Sequence, residues 1–172
     1  MKMLTRVALA TTLAFALASG FGCAKKQVVT EPAPAPAQET IVIETGISEE
    51  QAAAAKAHAQ QVITDTRVYF AFDKYDLSSE AKASLHEKAA IMKRYPSIRV
   101  LIAGNCDDRG TQEYNLALGE RRARAALDYM VQLGVNPSQI EIISYGKERP
   151  LNDANTEAAW AKNRRDDFIV IR

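Results

Sequence analysis

The sequence predicts an α/β fold of the α+β sandwich kind: a βαβαβαβ domain in which one mixed sheet has helices packed on it. Two observations predict it. Short β-branched or aromatic runs alternate with period two, with Val68, Phe70 and Phe72 in one and Ile98, Val100 and Ile102 in another. Between such runs lie stretches whose apolar residues recur at helical spacing, joined by connections short enough to make neighbours of consecutive elements.

The domain is expected to begin near Thr66, with a first strand that ends at Asp73. Ser78 or Ser79 caps a helix that carries Leu85, Ala89 and Met92 as its apolar stripe and stops at Tyr95, before Pro96. A second strand covers 98–103. A second helix runs from about Gln112 to Leu133 behind the capping Thr111, with Leu116, Ala123, Leu127 and Met130 on one side and Gly134 closing it. A third strand follows over 140–145, then a loop over 146–154, a short helix capped by Asn155 or Thr156 that runs to about Asn163, and a last strand over 168–171.

Composition narrows the functional classes. The 172 residues, 47% hydrophobic, suffice for one ordinary domain with appendages. A formal charge of +1 supplies no long-range field and argues against a nucleic-acid partner. The two cysteines, Cys23 and Cys106, stand in unlike contexts, which argues against a disulfide framework.

Upstream of the domain the chain is organised for delivery. Lys2 and Arg6 precede an apolar run from Val7 to Ala18, broken only by Thr11 and Thr12. That run is short of the roughly 20 residues a spanning helix needs. With Gly20, Phe21, Gly22 and Cys23 behind it, the segment resembles a bacterial lipoprotein signal, 1–22, with Cys23 as the lipidated first mature residue. Gly20 departs from the Leu usual there, and the competing readings are an ordinary cleaved signal or an uncleaved anchor. In such lipoproteins a residue other than Asp after the cysteine, here Ala24, implies sorting to the outer membrane. Residues 23–47 contain the run EPAPAPA, which favours an extended tether of about 3.1 Å per residue. Ser48 and Gln51 fit a capping box for an alanine-rich helical linker over 48–65, loosely held because alanine buries little. His58 in that linker reads as a solvated surface histidine.

The stretch 104–123, GNCDDRGTQEYNLALGERRA, runs from the carboxyl end of the second strand into a helix N-terminus, a position that ligands favour in open α/β sheets. On spacing alone, Asp107 is either a ligand acceptor or the cap of an Asx-turn. Arg122 is likewise either a ligand fork or part of a solvated face with Arg121 and Arg124. Asn163, Arg164 and Arg165 either close a pocket or brace the fold. Tyr69, Phe70 and Phe72 read as core, and Trp160 as packing for the last helix.

Four segments in this order, VYFAFDKYDL (68–77), the central stretch, SYGKERP (144–150) and KNRR (162–165), resemble the OmpA C-terminal-like family over roughly 66–172. The signal and tether match its lipid-anchored members. Asn105 stands where that family has His, Cys106 where it has a small Ala or Thr, and DDFIVIR is more acidic than the usual apolar finish. The resemblance implies non-catalytic binding of the peptide stem of peptidoglycan through diaminopimelate, with no cofactor. It places Asp107 on the ammonium, Arg122 on the carboxylate and Asp73 as a further contact, with Arg109, Thr111, Asn115 and Leu118 in the pocket wall. It also implies an outer-membrane anchor through Cys23 and a periplasmic domain, with TolB and other Tol proteins as partners. Replacing Asp107 or Arg122 is expected to leave the fold intact, both being read as surface polar groups.

Catalytic readings are weaker. His58 and His86 lie in different helices with no nucleophile beside them. Acidic neighbours are expected to raise the Cys106 thiol pKa rather than activate it, and Asp107 with Asp108 lacks the ligand spacing of a metal site. A hydrolase of cell-wall peptides is the second hypothesis, and release of fragments from purified muropeptides would identify it.

Overall fold

A computed structural model of the chain describes residues 48–171, so the signal-like segment, Cys23 and the tether lie outside the described residues. The elements are α1 (Glu49–Asp65), β1 (Val68–Tyr69), α2 (Ser79–Arg94), β2 (Arg99–Asn105), α3 (Gln112–Gln132), β3 (Ile140–Gly146), α4 (Glu157–Asn163) and β4 (Arg165–Ile171). A 3-10 turn, Pro137–Gln139, leads into β3. Strands run in the order β1-β4-β2-β3, with β2 and β3 parallel and β4 antiparallel to both of its neighbours. This is the mixed sheet the sequence predicts.

Local chemistry sets the helix starts. Ser78, Thr111 and Thr156 each accept the backbone N–H three residues on, and Ser48 and Gln51 complete the capping box of α1. Gly134, at φ +91°, terminates α3. Val68, Val100, Ile102 and Phe168 on one sheet face meet Leu85, Ala89 and Met92 of α2 and Ala123, Ala126 and Met130 of α3 in one core. Between β2 and α3 the backbones touch: a Cβ on Gly104 would lie 1.9 Å from the Gly119 carbonyl oxygen.

Three expectations require correction. The first strand does not continue to Asp73. It stops at Tyr69, Phe70 N–H donates to the Arg164 carbonyl, and 71–74 form a turn with Asp73 at φ +56°. Phe72 is accordingly 56% exposed rather than core. The last strand begins at Arg165 instead of Phe168, and β2 continues to Asn105 to pair with it. The polar RDD sequence hides a strand because Arg165 and Asp167 pair with each other on one face while Asp166 turns inward. In α3, Leu116 is exposed, and Leu118, Gly119 and Arg122 are among the residues that turn inward.

Helix α1 exposes most of its alanines, but it is fastened at its C-terminal end. Ile63 is fully buried in the core, and the ammonium of Lys88, itself wholly buried, donates to the Ile63 carbonyl at 2.8 Å and to the Thr66 hydroxyl. The Phe168 ring lies 4.6 Å from the same ammonium. Burial pulls the Lys88 pKa from 10.5 down to about 8. The unfolded chain therefore binds a proton that the folded one does not between those values, so stability rises as pH increases through that window. Urea denaturation at pH 8 and at pH 10 should show this rise in the parent and a smaller one in Lys88→Met.

Candidate functional site

At the carboxyl end of β2, the 106–111 loop, the 71–74 turn and the first turns of α3 enclose a cavity of about 190 Å³. Of the residues singled out in the sequence, Asp73, Asp107, Arg109, Asn115, Leu118 and Arg122 line it. Thr111 does not. Its hydroxyl is committed to capping α3, accepting Tyr114 N–H at 3.2 Å. Phe72, Cys106, Gly110 and Tyr114 complete the wall. Of these four, Cys106 stands out in the sequence as a departure from a familiar motif and Phe72 reads there as core, whereas Gly110 and Tyr114 carry no signal.

Arg122 is neither a solvated residue nor a simple ligand fork. It is fully buried, with Nε donating to the Lys74 carbonyl at 2.8 Å, Nη1 to the Asn105 carbonyl at 2.8 Å and Nη2 to the Ala71 carbonyl at 3.3 Å. One guanidinium thus ties α3 to the end of β2 and to the 71–74 turn. This overturns the expectation that the fold is indifferent to it, because its loss removes three charge-assisted hydrogen bonds, those to the Asn105, Lys74 and Ala71 carbonyls. Burial lowers the Arg122 pKa, opposed by the charges of Cys106, Asp166 and Asp107.

Asp107, 4% exposed, accepts Arg109 Nη2 at 2.6 Å and Arg164 Nη1 at 3.2 Å on Oδ2, and the Arg109 backbone N–H at 3.3 Å on Oδ1. The Asx-turn is therefore formed, by a carboxylate that also lines the cavity. Burial pushes its pKa up, but the hydrogen bonds from Arg109 and Arg164 outweigh this and hold it below the ordinary carboxylate value. Arg164 also braces the fold, donating to the Phe70 carbonyl at 3.1 Å. Arg165 braces only, through the Arg149 and Asn163 carbonyls and Asp167. Asn163 holds the 151–152 backbone through both its amide atoms.

The remaining candidates are fixed locally. Asn115 donates to the carbonyls of Arg109 at 2.8 Å and Thr111 at 3.1 Å, which folds the loop back over its own helix and brings Asp107 and Arg122 to one cavity. Asp73 accepts the Tyr114 hydroxyl at the mouth. Trp160 does more than pack α4, since its ring covers one face of the Arg109 guanidinium. Beneath the site, Asp166 is fully buried with both carboxylate oxygens unpartnered, and burial raises its pKa well above the usual range. Nothing in the acidic DDFIVIR sequence distinguishes this inward carboxyl from its outward neighbour Asp167. Among the described residues no group of His, Cys, Asp or Glu is placed to hold a metal, and no helix is long and apolar enough to cross a membrane.

Cys106 is buried between Asn115, whose carbonyl accepts its thiol at 3.3 Å, and Arg122, whose Nη1 is 3.4 Å away. Its pKa is pushed up to about 11, chiefly by burial, with Arg122 opposing and Asp107 and Asp166 adding to the rise. The acidic neighbours named from the sequence are thus the lesser cause. A neutral alkylating reagent should modify Cys106 slowly in the native protein and rapidly in denaturant, as followed by peptide mass.

Residues 69–164 match the OmpA family. The peptidoglycan-associated lipoprotein of Pseudomonas putida is 40% identical over 160 residues, covering 89% of this chain and 90% of that protein. That of Pseudomonas aeruginosa is 49% identical over 100 residues, covering 58% of this chain and 59% of that protein. The crystal structure of the peptidoglycan-associated lipoprotein from Burkholderia pseudomallei, 45% identical, superposes with a TM-score of 0.60 over 61% of this chain and 89% of that chain. The C-terminal domain of Helicobacter pylori MotB, at 21% identity and a TM-score of 0.58 over 62% of this chain and 84% of that chain, shares the fold. By its matched segment and its identity to these relatives, the chain belongs to the OmpA family.

Proposed function

We propose that this chain binds peptidoglycan without covalent chemistry, through the diaminopimelate of the stem peptide, and so tethers an outer membrane to the cell wall. The observation that carries the reading is the convergence of Asp107 and Arg122 on one small cavity. Diaminopimelate presents an ammonium and a carboxylate on one carbon, and recognition requires an anion and a cation a few ångströms apart. Asp107 is the anion. A guanidinium has five N–H donors. Arg122 gives three to carbonyls and directs another at the Cys106 sulfur, which leaves one donor and the charge for a ligand carboxylate. Asp73, turned to the mouth by its left-handed backbone, adds a second acceptor. The names of the relatives, peptidoglycan-associated lipoproteins, support peptidoglycan as the ligand.

The anchor in this reading is Cys23, lipidated after removal of 1–22, with 23–47 as the tether, 48–65 as the helical linker and 66–172 as the periplasmic wall-binding domain. TolB and the other Tol proteins are proposed partners on the family resemblance alone. The test is sedimentation with purified sacculi. The protein should pellet with walls containing diaminopimelate, pellet poorly with walls containing lysine in its place, and release no fragments. Equal pelleting with both walls would contradict the proposed determinant, and released fragments would mark a hydrolase.

A further inference from the structure

Asp107 meets more than the cavity. With Arg109, Glu157 and Arg164 it forms a ring of alternating charges: both arginines reach Asp107 Oδ2, at 2.6 and 3.2 Å, and both reach Glu157, with Arg164 Nη2 at 2.7 Å and Arg109 Nη1 at 3.8 Å. The two cations are not equally committed. Arg164 is 7% exposed and also holds the Phe70 carbonyl, whereas Arg109 is 32% exposed and its guanidinium donates to no carbonyl. Its Nε has no partner. The Arg109 guanidinium instead lies between two rings, 3.9 Å from the centroid of Phe72 and 4.2 Å from that of Trp160. A flat cation between two rings can slide in its own plane while both faces stay covered. That slot has Asp107 at one end and Glu157 at the other.

We propose that Arg109 is the site's own competitor: in the free protein it occupies the place on Asp107 that a ligand ammonium takes, and Glu157 receives it when the ligand arrives. The inference rests on the reading that Asp107 accepts the ammonium. Three hydrogen bonds already fall on this carboxylate, which leaves little capacity for an ammonium with three donors of its own. Leaving Arg109 in place would also set two cations on one Oδ2 beside a third. Moving it to Glu157 keeps every cation paired, and Arg164 with the Arg109 backbone N–H still orients Asp107. Arg109 is then a residue that limits affinity, the opposite of a wall contact that adds to it.

Calorimetric titration of the full chain with a soluble diaminopimelate stem peptide tests this. Arg109→Met, which retains bulk between the two rings without the charge, should bind roughly five- to tenfold more tightly than the parent, as removal of a charge-assisted competitor requires. Glu157→Gln should bind more weakly than the parent, because the displaced guanidinium loses its receiver, and should have a clearly smaller effect in the Arg109→Met background, where only the pair with Arg164 is lost. Glu157 also pairs with Arg164 at 2.7 Å and shares α4 with Trp160, and a loss that acted only through those contacts would weaken both backgrounds alike. Parent binding with an unchanged or weaker Arg109→Met, or an equal loss from Glu157→Gln in both backgrounds, overturns the inference. A parent that binds no stem peptide overturns it together with the proposed function.

Discussion

Arg122→Ala is expected to destabilise the domain by about 3 to 5 kcal/mol and to abolish wall binding, because it removes a buried cation together with its hydrogen bonds to the Asn105, Lys74 and Ala71 carbonyls, of which the Ala71 carbonyl keeps the Lys74 N–H. The two effects have different origins. Stability is lost through the carbonyls of Ala71, Lys74 and Asn105, which close the 71–74 turn onto the end of β2. Binding is lost through the charge that faces the cavity. Arg122→Lys separates them: one ammonium cannot span three carbonyls, so stability should fall, while a cation remains for the ligand. Urea denaturation read beside sacculus sedimentation checks both variants. An Arg122→Ala protein with the parent's denaturation midpoint would rule out the strut.

Gly104→Ala is expected to be comparably damaging, at least about 3 kcal/mol, although it adds a single methyl group. The new Cβ would lie 1.9 Å from the Gly119 carbonyl oxygen and 2.6 Å from its carbon, both backbone atoms that no rotamer change can move. Relief requires β2 and α3 to part. Arg122 sits one turn beyond Gly119 and Asp107 three residues beyond Gly104, so parting them also opens the cavity. Gly119→Ala is the control. Its Cβ would meet the Ser144 hydroxyl at 2.3 Å, which can rotate away, and the Gly104 oxygen at 2.9 Å, so the loss should be smaller. Thermal unfolding of the two variants ranks them, and equal midpoints would contradict the backbone contact.

The parts of this fold that declare themselves in the sequence are those decided by neighbours along the chain. Caps at Ser78, Thr111 and Thr156, the stop at Pro96 and the alternation of Val100 with Ile102 all depend on residues within a few positions. The parts that do not declare themselves depend on distant partners. Phe72 alternates like a strand residue, yet the strand ends at Tyr69 because Phe70 and Arg164, far apart in sequence, exchange hydrogen bonds there. Arg122 reads as one of several arginines on a helix. Only the carbonyls of a turn some fifty residues earlier make its full burial possible, the Ala71 bond spanning 51 positions. Asp107 and Arg122 were visible as candidates through the motif, whereas the ring of Arg109, Glu157 and Arg164 around Asp107 required α4 to be set against the loop. Charged residues are poor guides to burial for this reason: their cost is met by groups that only the tertiary fold supplies.

In the proposed complex Asp107 and Arg122 grip the two charges of one diaminopimelate head. Calorimetric titration of the parent, Asp107→Asn and Arg122→Lys with a soluble stem peptide carrying diaminopimelate, and with its lysine counterpart, tests it most directly. The parent should prefer the diaminopimelate peptide, Asp107→Asn should weaken its binding by roughly tenfold or more as loss of one partner of a desolvated charge pair requires, and the lysine peptide, lacking the carboxylate, should be bound weakly by all three. A folded Asp107→Asn protein that binds the diaminopimelate peptide as tightly as the parent, or a parent that binds both peptides equally, would contradict it.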